Sequence, residues 1–171
     1  LFKKGLDCAD YSIRAVYTES DFLYRETINC IKGSEKDKKT LLNLCGLLNS
    51  SLFSYFNLML GSSTGIEREQ IFLEELGNYP YVYNDQLVEL VEKMQREEWG
   101  KNRNELQVAL NQCVMRMYGL QDNYFVDYAL SIQIPMLCGT YQETKCDAKT
   151  MKEYVSILSK IWDEHFGQSN V

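Results

Sequence analysis

The residues best suited to recognition chemistry lie in one stretch, Gly61-Ser62-Ser63-Thr64-Gly65 followed by Glu67-Arg68-Glu69-Gln70. Glycines and small hydroxyls let a backbone come close to a phosphate. Arg68 can fork onto the two acceptors of a guanine edge, and Gln70 can pair with adenine through one donor and one acceptor. The competing reading is a surface loop in which Arg68 pairs with Glu67. Four carboxylates, Glu67, Glu69, Glu74 and Glu75, could also hold a cation as in a metal nuclease. Their spacing equally suits a solvated acidic turn, and no Asp/Lys constellation accompanies them.

Ahead of this stretch stand Lys3, Lys4, Arg14 and Arg25, with Lys32, Lys36, Lys38 and Lys39 further on. Such side chains orient a protein on a duplex through its phosphates. On the segment 12–18, Ser12, Arg14 and Thr18 share one face, while Ile13, Ala15 and Tyr17 share the other. A sheet packed on one face would present one such set outward, either to a ligand or to solvent alone.

Other chemistry is missing. No GxGxxG or GxxxxGK[ST] loop occurs, and no zinc-deaminase pattern occurs. No CxxC is present and His165 is the single histidine, which leaves little for a zinc site or a Ser/Cys–His nucleophile pair. The two prolines, Pro80 and Pro135, are far apart, so the short proline-containing loop with which amino-methylating enzymes hold a base is absent. No catalytic residue and no metal ligand is assigned.

The elements that must position these residues follow from patterning. The 171 residues, 45% hydrophobic and 25% charged, suit one ordinary domain or two small lobes of globular type. No run approaches the roughly 18 apolar residues of a membrane span. The opening Leu1-Phe2-Lys3-Lys4 lacks Met and a signal-type region, and reads as a piece of a longer polypeptide. The six cysteines (Cys8, Cys30, Cys45, Cys113, Cys138 and Cys146) read as reduced, buried thiols, because the chain is long enough to build a core without staples. The net charge is −6, yet residues 1–72 balance nine Lys/Arg against nine Asp/Glu, so all the excess acid lies in the second half. A nucleic-acid contact therefore belongs to the first half.

Residues 12–18 and 22–28 alternate as strands, and Glu19-Ser20-Asp21 between them predicts a hairpin. Lys3-Lys4-Gly5 would close an earlier strand. Leu41, Cys45, Leu48, Leu52, Phe56 and Met59 recur at steps of three or four, which predicts one long helix over 38–60 ending at Gly61. Residues 66–71 read as extended, and Gly77-Asn78-Tyr79-Pro80 as a break. The stripes Leu87, Leu90/Val91, Met94 and Leu106, Leu110, Cys113, Met117, joined through Gly100-Lys101-Asn102, predict a helical hairpin over 84–117. Tyr118-Gly119-Leu120 ends it, a shorter helix follows up to Pro135, and Met151, Val155, Leu158, Trp162 and Phe166 mark a last helix.

Leu47-Leu48-Asn49-Ser50-Ser51-Leu52-Phe53-Ser54-Tyr55-Phe56 and Gly61-Ser62-Ser63-Thr64-Gly65-Ile66-Glu67-Arg68-Glu69-Gln70-Ile71 resemble the C-terminal target-recognition region of adenine-specific DNA methyltransferases. These are the large bacterial methylases of restriction-modification systems, related to the specificity subunits of Type I systems. Phe2-Lys3-Lys4-Gly5-Leu6-Asp7 and residues 22–33 resemble the strands before that helix. Glu105-Leu106-Gln107 and Val114-Met115-Arg116-Met117-Tyr118-Gly119-Leu120 resemble the helix that follows. The likeness runs from residue 1 to about 130, and residues 135–171 share it only loosely. Thr64 stands where the family often carries a bulkier residue. The resemblance implies an upstream catalytic domain using S-adenosylmethionine, absent from this sequence, and DNA recognition on the strands and on the loop 61–70.

The expectation is an α+β fold: a small antiparallel or mixed sheet on a long helix (domain 1–83), then a helical lobe (84–171). The expected function is sequence-specific recognition of double-stranded DNA by a cytoplasmic protein that is not itself an enzyme. Lys3, Lys4, Arg14 and Arg25 would meet phosphates, while Ser62, Ser63, Thr64, Arg68 and Gln70 would lie near bases. The partners expected are the duplex, the upstream methyltransferase domain and a helical protein, with no membrane. The rival expectation is a helical interaction or dimerisation module without direct DNA contact.

Overall fold

In the computed structural model, residues 1–6, 12–62, 70–97, 102–123, 126 and 156 are described. The fold is α+β. Strand β1 (Phe2–Lys3) pairs antiparallel with β2 (Ile28–Asn29), Phe2 facing Asn29 and Lys3 facing Ile28. On its other edge β1 bridges to Ala15, and just beyond it Gly5 bridges to Gln70. The Lys3 N–H donates to the Arg14 carbonyl at 3.2 Å, the Val16 N–H to Leu1 at 2.7 Å, and the Ile71 N–H to Lys4 at 2.7 Å.

The expected hairpin of 12–18 with 22–28 does not form. Residues 12–18 keep their two-residue period: Ile13 is buried and Ala15 and Tyr17 half-buried, while Arg14, Val16 and Thr18 are exposed. Residues 21–27, however, are all exposed, and only Ile28–Asn29 joins the sheet, beside β1. Phe22, Leu23 and Tyr24 put apolar groups on both faces, so their alternation specifies no buried face and no register. Phe2, only 2% exposed, does define one, and β1 takes the central position.

The single helix expected over 38–60 is two helices, α1 (Lys38–Leu48) and α2 (Ser51–Leu60). A short 3-10 turn (Glu35–Asp37) leads into α1, and the Asp37 carboxylate accepts from the Ser34 N–H and hydroxyl at 2.9 and 2.8 Å. Those bonds hold its carboxyl below the ordinary range. The break comes from Asn49 and Ser50. The Asn49 amide donates to the Cys45 carbonyl and to the Ala15 carbonyl, both at 2.9 Å, and its Oδ1 accepts from the Ala15 N–H at 3.2 Å. Ser50 turns extended and caps α2, its hydroxyl accepting from the Phe53 N–H at 3.3 Å. From α5 (Arg103–Met117), Asn111 accepts from the Ser51 N–H at 3.0 Å and Gln107 donates to the Asn49 carbonyl at 2.9 Å. The hydrophobic period runs through the break because both helices bury their apolar faces in one core. As the sequence predicts, α2 ends at Gly61.

Helix α3 (Leu73–Leu76) is a single turn ended by Gly77. The helical hairpin forms as expected, from α4 (Asp85–Arg96) and α5. Asn84 caps α4, accepting from the Gln86 and Leu87 N–H groups. Leu87, Val88 and Val91 of α4 join Leu110, Cys113 and Val114 of α5 in the interior, and Leu106 of α5 is buried as well. Gly119, at φ 66°, ends α5 in a Schellman arrangement, with the Leu120 N–H reaching the Met115 carbonyl at 2.9 Å. One apolar core runs from Phe2 through Ile13, Leu42, Leu47, Leu52, Ile71, Leu87 and Leu110 to Val126. The helix predicted between 121 and Pro135 and the last one at 151–166 fall almost wholly outside the described residues. Cys45 and Cys113 are buried free thiols and Cys30 a half-buried one. Burial pushes the Cys45 and Cys113 thiols up, away from the reactive thiolate.

Helix α1 packs tightly on α4 at Gly46. A Cβ on Gly46 would lie 2.8 Å from Leu87 Cδ1 and from Val91 Cγ2. Gly46→Ala gains about 1 kcal/mol of helix propensity, but overpacking a filled interior costs about 1–3 kcal/mol. The net expectation is a lower urea midpoint, and an unchanged or higher midpoint would refute the packing argument. Asn49→Ala strands both backbone groups of Ala15 at a part-buried site, at a cost of about 1–3 kcal/mol in the same titration.

Candidate nucleic-acid interface

The candidate site is the exposed face of the small sheet. Residues 3, 14 and 70 are scattered along the chain, and backbone pairing sets Lys3 opposite Arg14 and Gln70 beside Gly5. The Phe2–Ala15 bridge sets Lys3 directly opposite Arg14 on the face away from the buried Phe2, and both side chains are exposed. Lys4 follows, half-buried, its N–H bonded to the Thr27 carbonyl at 2.9 Å. Arg25 is exposed in the turn that enters β2, its carbonyl accepting from the Ile28 N–H at 3.0 Å. Gln70 reaches the same strand through its bridge to Gly5.

Like charges directly opposite each other on two strands repel. Among the described residues, no carboxylate forms an ion pair with Lys3, Lys4 or Arg25; the described ion pairs lie elsewhere. Lys38 binds Glu19 at 2.6 Å and Lys39 binds Asp85 at 3.1 Å. The Lys38 contact holds the Glu19 carboxyl below its usual range, and the Glu19 contact holds the Lys38 ammonium above its own. These two lysines serve α1 and its surroundings rather than the sheet face.

Ser62, exposed, donates its N–H to Glu75 Oε1 at 3.1 Å, which anchors one end of the loop on α3. Ser63, Thr64 and Arg68 lie outside the described residues, as do Glu67 and Glu69 of the alternative acidic cluster. Glu74 and Glu75 are left as first-turn acids of α3. The strand-to-helix turn after β2 carries a single glycine, Gly33, and its missing Cβ makes room for Asp37 and Leu41.

Sequence reading missed the residues that hold the Arg14 segment from behind. Asn49 grips Ala15, and the Gln95 amide of α4 donates to the Tyr17 carbonyl at 3.0 Å. Neither forms part of a motif, and only a polar residue on an otherwise apolar helix stripe hints at Asn49. The segment 15–19 separates two grooves of about 910 Å³ each. One lies over Leu41, Leu44 and Leu48 and is bounded by residues 30–35. The other lies against α4 and α5, between Arg14 and Arg103.

If the Lys3–Arg14 pair serves a ligand rather than the fold, Lys3→Glu relieves a repulsion. The variant is then expected to unfold within about 0.5 kcal/mol of the wild type or to be slightly more stable. A loss above about 1 kcal/mol in urea would instead assign Lys3 a structural role. Comparison with protein-family models, with curated proteins and with solved structures returns no match to this chain.

Proposed function

We propose that this chain is a sequence-specific DNA-recognition module of a restriction-modification adenine methyltransferase, with the sheet face as its phosphate-contacting surface. The observation that carries the reading is the exposed Lys3 set opposite the exposed Arg14, with Gln70 bridged to Gly5 just beyond β1. Cations opposed across strands are stabilised by a polyanion, which neutralises both at once. The charge balance of residues 1–72 supports the same half of the molecule as the contacting one. In this reading Ser62, Ser63, Thr64, Arg68 and Gln70 lie near base edges and supply the choice of sequence. The resemblance to target-recognition regions supports an S-adenosylmethionine-dependent domain elsewhere in the polypeptide, in which the methyl transfer itself takes place. No residue named here takes part in that step, and the chain is not itself an enzyme.

A second reading, a protein-interaction module in a cytoplasmic assembly, draws on a different observation. Leu23 is 103% exposed, with Phe22 and Tyr24 also exposed on either side and their rings 5.7 Å apart. Apolar residues so exposed suit a protein partner. No described helix is long and apolar enough to cross a membrane.

Salt dependence separates the two readings. Binding of labelled duplex DNA, followed by fluorescence anisotropy, is expected to weaken steeply with salt. Lys3→Ala and Arg14→Ala should each weaken it uniformly across sequences and flatten the salt slope by about one. Binding insensitive to salt and to both substitutions would overturn the DNA reading. Arg68→Ala in the intact methylase should lower discrimination between target and non-target sites by about 1–3 kcal/mol, and unchanged site choice would remove Arg68 from base recognition.

A further inference from the structure

No further inference is drawn: the strongest candidate, the groove of about 910 Å³ between residues 15–19 and 30–35 above the Leu41, Leu44 and Leu48 side of α1, has a mixed polar and apolar lining, and nothing in the structure shows what covers it.

Discussion

The architecture depends on backbone groups that no regular element satisfies and that asparagine side chains satisfy instead. Asn49 bonds both the N–H and the carbonyl of Ala15, standing in for a neighbouring strand. Asn43 does the same for the segment before α4, donating to the Val82 carbonyl at 2.9 Å and accepting from the Asn84 N–H at 3.0 Å. Asn43 is fully buried, and Asn49 sits at the end of the same helix. An unpaired backbone group in such surroundings costs about 1–3 kcal/mol, comparable to burying a large aliphatic side chain. The two amides therefore decide which extended segments can lie against α1, and where.

That constraint carries through to the sheet face. With Ala15 held from behind, Ile13 points into the core and Arg14 is turned outward beside Lys3. Gln95 adds a third bond from α4 at Tyr17. The cationic pair is thus set by contacts on the opposite side of the strand, made by residues from two different helices. The strand needs little ladder of its own, and β1 with its neighbours consists of only a few paired positions.

An aromatic group at one end of the same core stiffens it. Phe53, Phe56, Tyr79 and Tyr118 meet in tilted and edge-on contacts, ring centroids 5.6–6.1 Å apart. The Tyr79 hydroxyl donates to Asn57 at 3.1 Å inside the core, and burial pushes its ionisation up to about 12. Its neutral form is favoured in the folded chain, so this contribution to stability is complete below about pH 10 and fades as pH rises towards about 12. This cluster joins α2 to the segment before α4 and to the end of α5. The loop 61–70 therefore leaves a fixed point and returns at Gln70, against β1.

Much of this organisation is legible in the residues alone. Helical periodicity with apolar stripes at Leu87–Val91 and Leu106–Cys113, the stops at Gly61 and Gly119, and the alternation from Ile13 to Tyr17 are local properties, set by side-chain spacing and backbone conformation. The break at Asn49 is not legible, because the apolar period continues across it and its cause is a hydrogen bond to a residue 34 positions away. The partner of the 12–18 segment is equally hidden. A strand's alternation states which face is buried but not which edge is paired, and β1 outcompetes residues 22–28 because Phe2 has a core to enter. Charge and side-chain shape point to the individual residues of the candidate site. Only tertiary structure could set Lys3 opposite Arg14 and Gln70 beside Gly5, since their proximity is a matter of long-range pairing rather than of sequence spacing.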